Sequence, residues 1–316
     1  MPRFRARVNR ASAHTVRGMA NIPHVQAMLN SLSTPGSTLP AGDDVAFYRE
    51  NGFWISPPIL AGDILAAAGH GMARHHAGEV DHVLPRDPQG RLWGWRPGDG
   101  DALRKNDYAS LRVEQLARLV RQPVIAECAA RLSGAPEIRL WHDQLLYKPA
   151  SRDQGSNVGW HTDRHYWRTC SSTEMLTAWV PFHDVTGDHG PVMFVAGSHR
   201  WSGQLDLSFW NQDLTAIDRY AAEHGSRIVT ATLRRGQVSF HHCRTLHGSG
   251  PNHSSEPRRS IAIHLQPGDN RHVTASNPDG TVAAHDNDRL VRSHPDGTPD
   301  YADPAVCPRL RPVVSP

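Results

Sequence analysis

The chain has 316 residues, 38% of them hydrophobic, which suffices for the core of one large domain with additions rather than two separate domains. Its formal net charge is only +3 with histidine neutral, and no Lys/Arg-rich run is interleaved with aromatic residues, so a nucleic-acid partner is excluded. No uninterrupted apolar run approaches the ~20 residues of a membrane-spanning helix, so we expect no membrane partner.

The four cysteines are dispersed and include no Cys-x-x-Cys pair. Their spacing indicates neither a zinc ribbon nor a disulfide scaffold. A reducing compartment is the default for such a chain, so we expect a cytoplasmic protein. The sequence makes no prediction of the oligomeric state.

The two ends of the chain differ in composition from its middle. The first 42 residues contain five arginines and no Asp or Glu, and we interpret residues 1–42 as a flexible N-terminal extension. Residues 271–316 are rich in Pro, Gly and Asp without periodicity, which predicts an irregular C-terminal tail. Residues 43–270 would then form the folded domain.

A loop and a helix are predicted before the first long strand. Gly90 to Gly100 contains two tryptophans among glycines and is predicted to be a loop, which could act as a lid. Leu111 to Leu132 is the best predicted helix, because its leucines and Val120 share an apolar stripe. Pro123 predicts a break or a kink in that helix.

Short strands dominate the remainder of the chain. Helical periodicity is nearly absent after residue 135, and Gly and Pro separate short runs that are typical of strands. This series favours a mainly β fold with flanking helices, a double-stranded β-helix (jelly-roll, cupin-like) barrel with an open mouth for a site. The predicted strands are Ile138–Lys148, Met175–Asp184, Gly190–Val195, Ile228–Leu233, Gln237–His241 and Arg258–Gln266.

The segment His161-Thr162-Asp163 has the spacing of two metal ligands on one strand. Successive side chains of a strand point to opposite faces, so His161 and Asp163 project the same way. Such a pair means little by itself in a chain with 21 histidines, but His247 follows 84 residues after Asp163. Two imidazoles and one carboxylate on one face of an octahedral ion leave three positions open, a donor set that suits ferrous iron.

Arg258 begins a strand whose two faces differ in character. Arg258, Ser260, Ala262 and His264 share one face, whereas the other face carries Ile261, Ile263 and Leu265, which can pack under covering helices. Arg258 is therefore predicted to face the barrel cavity and to bind a carboxylate through two parallel hydrogen bonds, with Ser260 as a further donor. Arg259 is out of phase, and we interpret it as a surface charge.

These residues carry a family resemblance. The segments Trp160–Asp163, Gly197–His199 and His247–Asn252, together with Arg258, resemble the phytanoyl-CoA dioxygenase family of Fe(II)/2-oxoglutarate-dependent oxygenases. The similarity covers about residues 43 to 268, and Phe47–Phe53 is similar to that family's opening helix and turn.

The resemblance implies a ligand set and a reaction. It implies that His161, Asp163 and His247 bind Fe(II), that Arg258 binds a carboxylate of 2-oxoglutarate, and that Trp179 lines the co-substrate pocket. The enzyme would be a dioxygenase that uses O2 and 2-oxoglutarate, releases succinate and CO2, and hydroxylates or otherwise oxidises an unactivated carbon of a small organic molecule, in specialised metabolism. Halogenating enzymes of this kind leave the carboxylate position free, so Asp163 favours hydroxylation.

Several further residues are candidates for contacts with the substrate or co-substrate. Lys148 matches a lysine often found at this place in the family. His165 lies two residues beyond Asp163 and would share the metal-facing side if the strand continued. Seven aromatic residues lie in segments expected to flank the mouth and favour a ring-containing or alkyl substrate, although tryptophans also simply bury area. The candidate contacts are Lys148, His165, Trp167 and Gln144; the mouth aromatics are Trp93, Trp95, Trp160, Tyr166, Trp167, Trp201 and Trp210.

Some alternatives stay open. His241 and His242 also lie near His247, but the spacing from Arg258 favours His247 as the distal ligand. A cupin-like isomerase or dioxygenase without 2-oxoglutarate would keep the metal and the barrel, and Arg258 with Ser260 argues against it. A non-enzymatic jelly-roll binding module would leave three open metal positions without a purpose.

Overall fold

The computed structural model describes residues 38–87, 89–150, 156–202 and 208–311, which lie within one compact unit, Ser33–Pro316. The expected N-terminal extension lies outside these residues except for positions 38–42. In the described ranges no helix is both long and apolar enough to cross a membrane.

Six α-helices occur in the described ranges. The segment predicted as one helix from Leu111 to Leu132 forms two, because Pro123 begins a new helix at its first position, where its missing N–H costs nothing. The predicted loop Gly90–Gly100 contains only a short 3-10 turn, Pro97–Asp99. The helices are α1 Gly42–Asn51, α2 Gly62–His76, α3 Glu114–Val120, α4 Pro123–Ser133, α5 Ala216–Glu223 and α6 Asp286–Leu290.

Eleven strands in the described ranges form two antiparallel sheets. The major sheet has the order β1-β8-β5-β10-β3-β11, with β2 also paired to β3, and the minor sheet has the order β4-β9-β6-β7. The strands are β1 Phe53–Ile55, β2 Arg104–Asp107, β3 Ile138–Lys148, β4 Val158–His161, β5 Leu176–Pro181, β6 Val192–Val195, β7 Ile228–Ala231, β8 Ser239–His242, β9 His247–Ser249, β10 Arg258–Pro267 and β11 Arg309–Arg311.

The two sheets face each other through a series of aromatic contacts. Phe53 of the major sheet stacks on Phe194 of the minor sheet with 4.9 Å between ring centroids. His241 of the major sheet lies 5.2 Å from Phe194 and 4.3 Å from His247 of the minor sheet. The mainly β prediction is therefore confirmed, with a polar site between two sheets.

The outer face of the major sheet is covered by helices. Ile261, Ile263 and Leu265 on β10 belong to the largest buried apolar cluster, which also includes residues of α1, α2, α3 and α4. Since alternate residues point to opposite faces, this packing turns Arg258, Ser260, Ala262 and His264 toward the minor sheet. The packing of the helices thus determines which face of β10 serves the site.

The C-terminal segment folds against the major sheet, with β11 pairing to β3. Two similar turns, Asn277–Thr281 and His294–Thr298, flank α6, and each contains Pro-Asp-Gly-Thr. In each turn the aspartate accepts hydrogen bonds from the backbone and hydroxyl of the threonine two residues later, and the intervening glycine has positive φ. This repeat was not among the features predicted from the sequence.

Asn287 anchors α6 to the rest of the protein through buried hydrogen bonds. It is fully buried, its side-chain oxygen accepts from the Tyr108 hydroxyl at 2.6 Å, and its amide donates to the Trp141 carbonyl at 2.7 Å. We expect Asn287→Ala to lower the free energy of unfolding by about 2–4 kcal/mol, because two buried polar groups lose their partner. Urea denaturation followed by fluorescence would measure it.

Asn277→Ala is the matched control, since among the described residues the side-chain amide of Asn277 bonds just the nearby Thr281 hydroxyl in an exposed turn. That substitution should change stability by less than about 1 kcal/mol. Equal losses in the two variants would contradict the anchoring role of Asn287.

Candidate metal centre

His161 and His247 are directly opposite each other on the paired strands β4 and β9. Their ring centroids are 4.1 Å apart. Nδ1 of His161 lies 2.7 Å from the Gly159 carbonyl, and Nδ1 of His247 lies 3.0 Å from the Thr245 carbonyl. Each Nδ1 therefore carries the donated proton, which leaves Nε2 with a free lone pair, and burial lowers the pKa of both imidazoles.

Asp163 reaches the same point from just beyond the end of β4. Thr162 keeps an extended backbone, so Asp163 lies on the same side as His161, as the alternation predicts. Its Oδ1 lies 3.8 Å from Nε2 of His161 and 3.6 Å from Nε2 of His247. One ligand atom from each of the three buried residues falls within 4.8 Å of the others, so the trio can hold one metal ion.

The electrostatics of the trio fit a divalent cation. Burial alone would raise the pKa of Asp163, but the neighbouring His247 and the contact from His241 hold the pKa of this carboxyl well below its usual range. The site thus offers one carboxylate and two neutral imidazoles, which is the donor chemistry of non-haem ferrous iron.

The strand does not continue past Asp163. Asp163–His165 forms a 3-10 turn, so the condition under which His165 would share the metal-facing side does not hold. The His165 ring instead lies 5.0 Å from the Tyr166 ring, and its Nδ1 lies 3.4 Å from the Arg168 guanidinium. His165 lines neither of the two cavities that adjoin the trio.

A second layer of residues, not predicted from the sequence, holds Asp163 from the major sheet. The Thr177 hydroxyl donates to Oδ2 of Asp163 at 2.6 Å, and Nδ1 of His264 lies 2.7 Å from the same hydroxyl oxygen. Nε2 of His241 lies 3.3 Å from Oδ2. Thr177 pairs in register with both histidines across β8, β5 and β10, a long-range register that a single strand's pattern does not reveal.

Thr177→Val tests this second layer. We expect iron affinity to fall about 10- to 100-fold, because the isosteric side chain removes the hydrogen bond that orients Asp163. Equilibrium titration with ferrous iron under argon would measure the change. Thr177→Ser, which keeps the hydroxyl, should retain most of the affinity, and equal affinities in the two variants would contradict the role of the bond.

Arg258 is a buried cation that pairs with no carboxylate among the residues the structure describes. It is 1% exposed, donates to the Gly190 carbonyl, and lies over the Trp179 ring at 5.2 Å. In the described ranges no Asp or Glu lies within 4.0 Å of it, and burial lowers its pKa to about 9. Burying an unpaired charge is costly, so this guanidinium fits an anionic ligand.

Polar atoms around Arg258 support the same interpretation. Nε of Arg258, Oγ of Ser260 and Nε1 of Trp179 are buried without a hydrogen-bond partner among the described residues. A narrow cavity lined by Arg258 and Trp179 extends to His161, Asp163 and His247. Ser260 does not line that cavity, although it shares the inward face of β10 with Arg258.

Lys148 lies opposite Arg258 in the β3–β10 register but is fully buried behind the cavity wall. Its ammonium donates to Oγ of Ser249 at 2.8 Å and to the Gly250 carbonyl, which connects the two sheets. Burial and the charge of Arg258 hold its pKa well below the ordinary value. In this structure Lys148 reaches neither cavity that adjoins the trio.

A larger cavity of about 610 Å³ opens on the other side of His161 and Asp163. Gln144 lines it, and so do three of the seven predicted mouth aromatics, Tyr166, Trp167 and Trp210. Four other predicted mouth aromatics pack elsewhere: Trp93 on His75, Trp95 on Arg104, and Trp160 and Trp201 in a separate apolar cluster. One wall consists of Ala284, His285, Asp286, Asp288 and Arg289 from the C-terminal segment, a wall that the sequence analysis did not anticipate.

Comparison with known proteins places this site in a family. The model of the phytanoyl-CoA dioxygenase (PhyH) family matches residues 48–260. The chain belongs to this family. It is an Fe(II)/2-oxoglutarate-dependent dioxygenase whose cofactors are Fe(II), 2-oxoglutarate and O2, which confirms the prediction of the reaction class.

The chain is similar to dioxygenases that are named for phytanoyl-CoA and to others that are not. The chain is 28% identical to the ectoine dioxygenase of Bordetella parapertussis, over 70% of this chain and 73% of that one. It is 24% identical to the peroxisomal phytanoyl-CoA dioxygenase of Rattus norvegicus, over 72% and 69%.

The chain is also similar to solved structures. The epimerase SnoN, in complex with Fe3+, alpha ketoglutarate and nogalamycin RO, matches 83% of this chain and 97% of its own at 26% identity, with a TM-score of 0.56. EctD from S. alaskensis, with 2-oxoglutarate and 5-hydroxyectoine, matches 78% and 82% at 23% identity, with a TM-score of 0.60, and so supports the fold.

Proposed function

We propose that this PhyH-family enzyme hydroxylates an unactivated carbon of a small organic molecule in specialised metabolism, with release of succinate and CO2. His161, Asp163 and His247 would bind the iron, and Arg258, with Ser260 and Trp179, would hold the 2-oxoglutarate. One observation carries the proposal: a buried carboxylate between two neutral imidazoles shares a cavity with a buried arginine that lacks a carboxylate partner in the described ranges.

The arrangement of the two cavities supports this division of roles. Arg258 and Trp179 line the narrow cavity, Tyr166, Trp167 and Trp210 line the wide one, and both are lined by His161, Asp163 and His264. His161 and Asp163 therefore lie where the two cavities meet, and His247 lines the narrow one. A co-substrate held by Arg258 and a substrate in the wide cavity would approach the same ion from different sides.

The chain's own side chains orient the reacting groups rather than oxidise them. Bound iron with 2-oxoglutarate and O2 supplies the oxidising chemistry that no side chain here can perform. The carbonyls of Gly159 and Thr245 fix the tautomers of His161 and His247, and Thr177 fixes the carboxylate of Asp163. Asp163 also occupies the position that halogenating relatives would need for a halide, which favours hydroxylation.

Anaerobic titration with ferrous iron and 2-oxoglutarate tests the proposal. We expect a metal-to-ligand charge-transfer absorption band that requires both components, because the co-substrate would chelate the iron beside Arg258. Iron binding without a band that depends on 2-oxoglutarate would favour a cupin-like enzyme that does not use it. Failure to bind iron would favour a non-enzymatic binding module.

A screen of candidate metabolites then addresses the substrate. Succinate release should be stimulated by the true substrate, since the chemistry that bound iron and 2-oxoglutarate would supply is used productively only when a substrate fills the wide cavity. Uniform succinate release across all compounds tested, at the level without substrate, would argue against an oxygenase of small molecules.

A further inference from the structure

The positive charges around the wide cavity are already paired within the protein. Nζ of Lys105 lies 2.7 Å from Oδ2 of Asp107, and the Arg289 guanidinium lies 2.9 Å from Oδ1 of Asp286. Asp288 accepts hydrogen bonds from the Tyr301 hydroxyl at 2.5 Å and from the His285 backbone at 2.8 Å. No cation among the described residues pairs with Asp288, so the unpaired charges of the wall, those of Asp163 and Asp288, are negative, and the wall offers a ligand no unpaired positive charge.

Three neighbouring imidazoles, tilted against one another, form an uncharged polar part of the wall. The ring of His142 lies 4.4 Å from that of His264 and 5.0 Å from that of His285. Both ring nitrogens of His142 and Nε2 of His264 are buried without a hydrogen-bond partner among the described residues. Burial holds the pKa of His142 well below the ordinary value and lowers that of His285 to about 3, so these two rings are uncharged.

Hydrogen bonds within the protein determine which ring nitrogens of His264 and His285 can donate to a ligand and which can accept from it. These two residues and His142 are called the histidine wall. The Thr177 hydroxyl gives its proton to Asp163, so its oxygen accepts from Nδ1–H of His264, and Nε2 of His264 is left as an acceptor. Nδ1 of His285 accepts from the Asn287 backbone, so its Nε2–H is left as a donor. A ligand meets both donors and acceptors here, and no charge.

The remaining wall is aromatic. Tyr166, Trp167, Phe209 and Trp210 line the same cavity, and Trp210 is 63% exposed at its edge. Aromatic side chains of this kind bury flat apolar rings well. The volume of about 610 Å³ accommodates a multi-ring compound.

We infer that the substrate is a neutral, oxygen-rich ring compound whose hydroxyl and carbonyl groups bond to His142, His264 and His285 while its ring face lies on the aromatic wall. This inference rests on the proposed function and deepens it by naming the substrate class. It disfavours carboxylates, phosphates and CoA thioesters, which would enter without a cation to balance them. Of the three histidines, His264 and His285 lie beyond residue 260, where the family match ends, whereas His142 lies within it.

A panel of matched ring compounds tests the inference on the iron- and 2-oxoglutarate-loaded enzyme under argon. Each of three scaffolds, a steroid, a flavanone and an anthraquinone, is titrated calorimetrically as the unhydroxylated parent, the neutral hydroxylated compound and the carboxylated compound, beside acetyl-CoA. On the tightest-binding scaffold, the hydroxylated compound should bind about tenfold tighter than either counterpart, because only it satisfies the imidazoles without adding charge. Tightest binding by a carboxylate or by acetyl-CoA, equal binding of parent and hydroxylated compounds, or no saturable binding up to about 1 mM would overturn the inference.

Two variants test whether the preference for the hydroxylated compound depends on the histidine wall. His285→Phe and His142→Phe keep ring area but remove hydrogen bonding, so each should lose about tenfold in affinity for the hydroxylated compound and little for the parent. His224→Phe is the control, because His224 stacks on Trp201 outside the cavity. If His142→Phe does not fold, His285→Phe alone decides, and unchanged affinity in it would contradict the wall's role.

A gain of binding provides an independent measurement. Asp107→Asn removes the carboxylate paired with Lys105, so affinity for the carboxylated compound should rise several-fold while that for the parent stays the same. No gain would contradict the claim that charge pairing excludes anions. Loss of the charge-transfer band with the hydroxylated preference retained would refute the proposed function alone, and an intact band with an anionic preference would refute only the substrate class.

Discussion

Asp163→Ala should abolish turnover while leaving the fold intact. Asp163 is the only carboxylate of the trio, and four imidazoles, those of His161, His241, His247 and His264, lie within 4.0 Å of its oxygens. Without it, two neutral nitrogen ligands would remain for the ion. We expect activity to fall by about a thousandfold or more, which corresponds to roughly 4 kcal/mol of activation free energy.

Metal analysis of the purified variant would separate loss of iron from loss of folding, which circular dichroism monitors. Asp188→Ala is the control, because Asp188 is an exposed carboxylate in a 3-10 turn outside both cavities. Full iron content and normal turnover in Asp163→Ala would remove this residue from the ligand set.

Arg258→Ala should weaken 2-oxoglutarate binding by about a hundredfold or more while iron affinity changes little. The guanidinium is buried beside the trio, and truncating one partner of a buried charged pair typically costs about 2–5 kcal/mol. The stability of the protein without ligand should not fall, because the variant removes a buried cation that has no carboxylate partner in the described ranges. Titration of 2-oxoglutarate against the charge-transfer band measures the affinity, and thermal unfolding measures the stability.

Arg259→Ala is the control, because Arg259 is the next residue of β10 and its side chain points to the opposite face of the strand. Arg259 is exposed on the opposite face of β10, and its contact with His183 is made by the backbone, which the substitution keeps. Its loss should leave 2-oxoglutarate affinity unchanged. Equal weakening in the two variants would mean that general positive charge, and not the Arg258 position, attracts the co-substrate.

The features that followed from local patterns could be predicted from the sequence. Alternation placed His161 and Asp163 on one side and separated Arg258 from Arg259, because side-chain direction in a strand depends only on parity. His247 followed from its spacing to Arg258. The family resemblance then connected these residues to a reaction that no pattern alone would have named.

The features that were missed depend on which strands become neighbours. Thr177, His241 and His264 meet because β8, β5 and β10 lie side by side in one register, and nothing in each strand's own sequence records that pairing. The end of β4 was also unpredictable from parity, since the 3-10 turn at Asp163 redirects His165. Proline and glycine in the C-terminal segment signalled irregularity, although they form hydrogen-bonded turns that present His285 to the cavity.

The two Pro-Asp-Gly-Thr turns lie at either end of the stretch that forms one wall of the wide cavity, so this stretch can be replaced as a unit. Each turn closes through its own aspartate, so the stretch between them is held independently of strand register in the two sheets. A combinatorial library confined to residues 282–292, with Asn287 retained as the anchor, would therefore diversify selectivity while leaving iron loading and co-substrate affinity at their original values. The scaffold thus offers a route to retargeted oxidation catalysts in which one contiguous stretch of the cavity wall, separate from the proposed metal ligands and Arg258, is varied by itself.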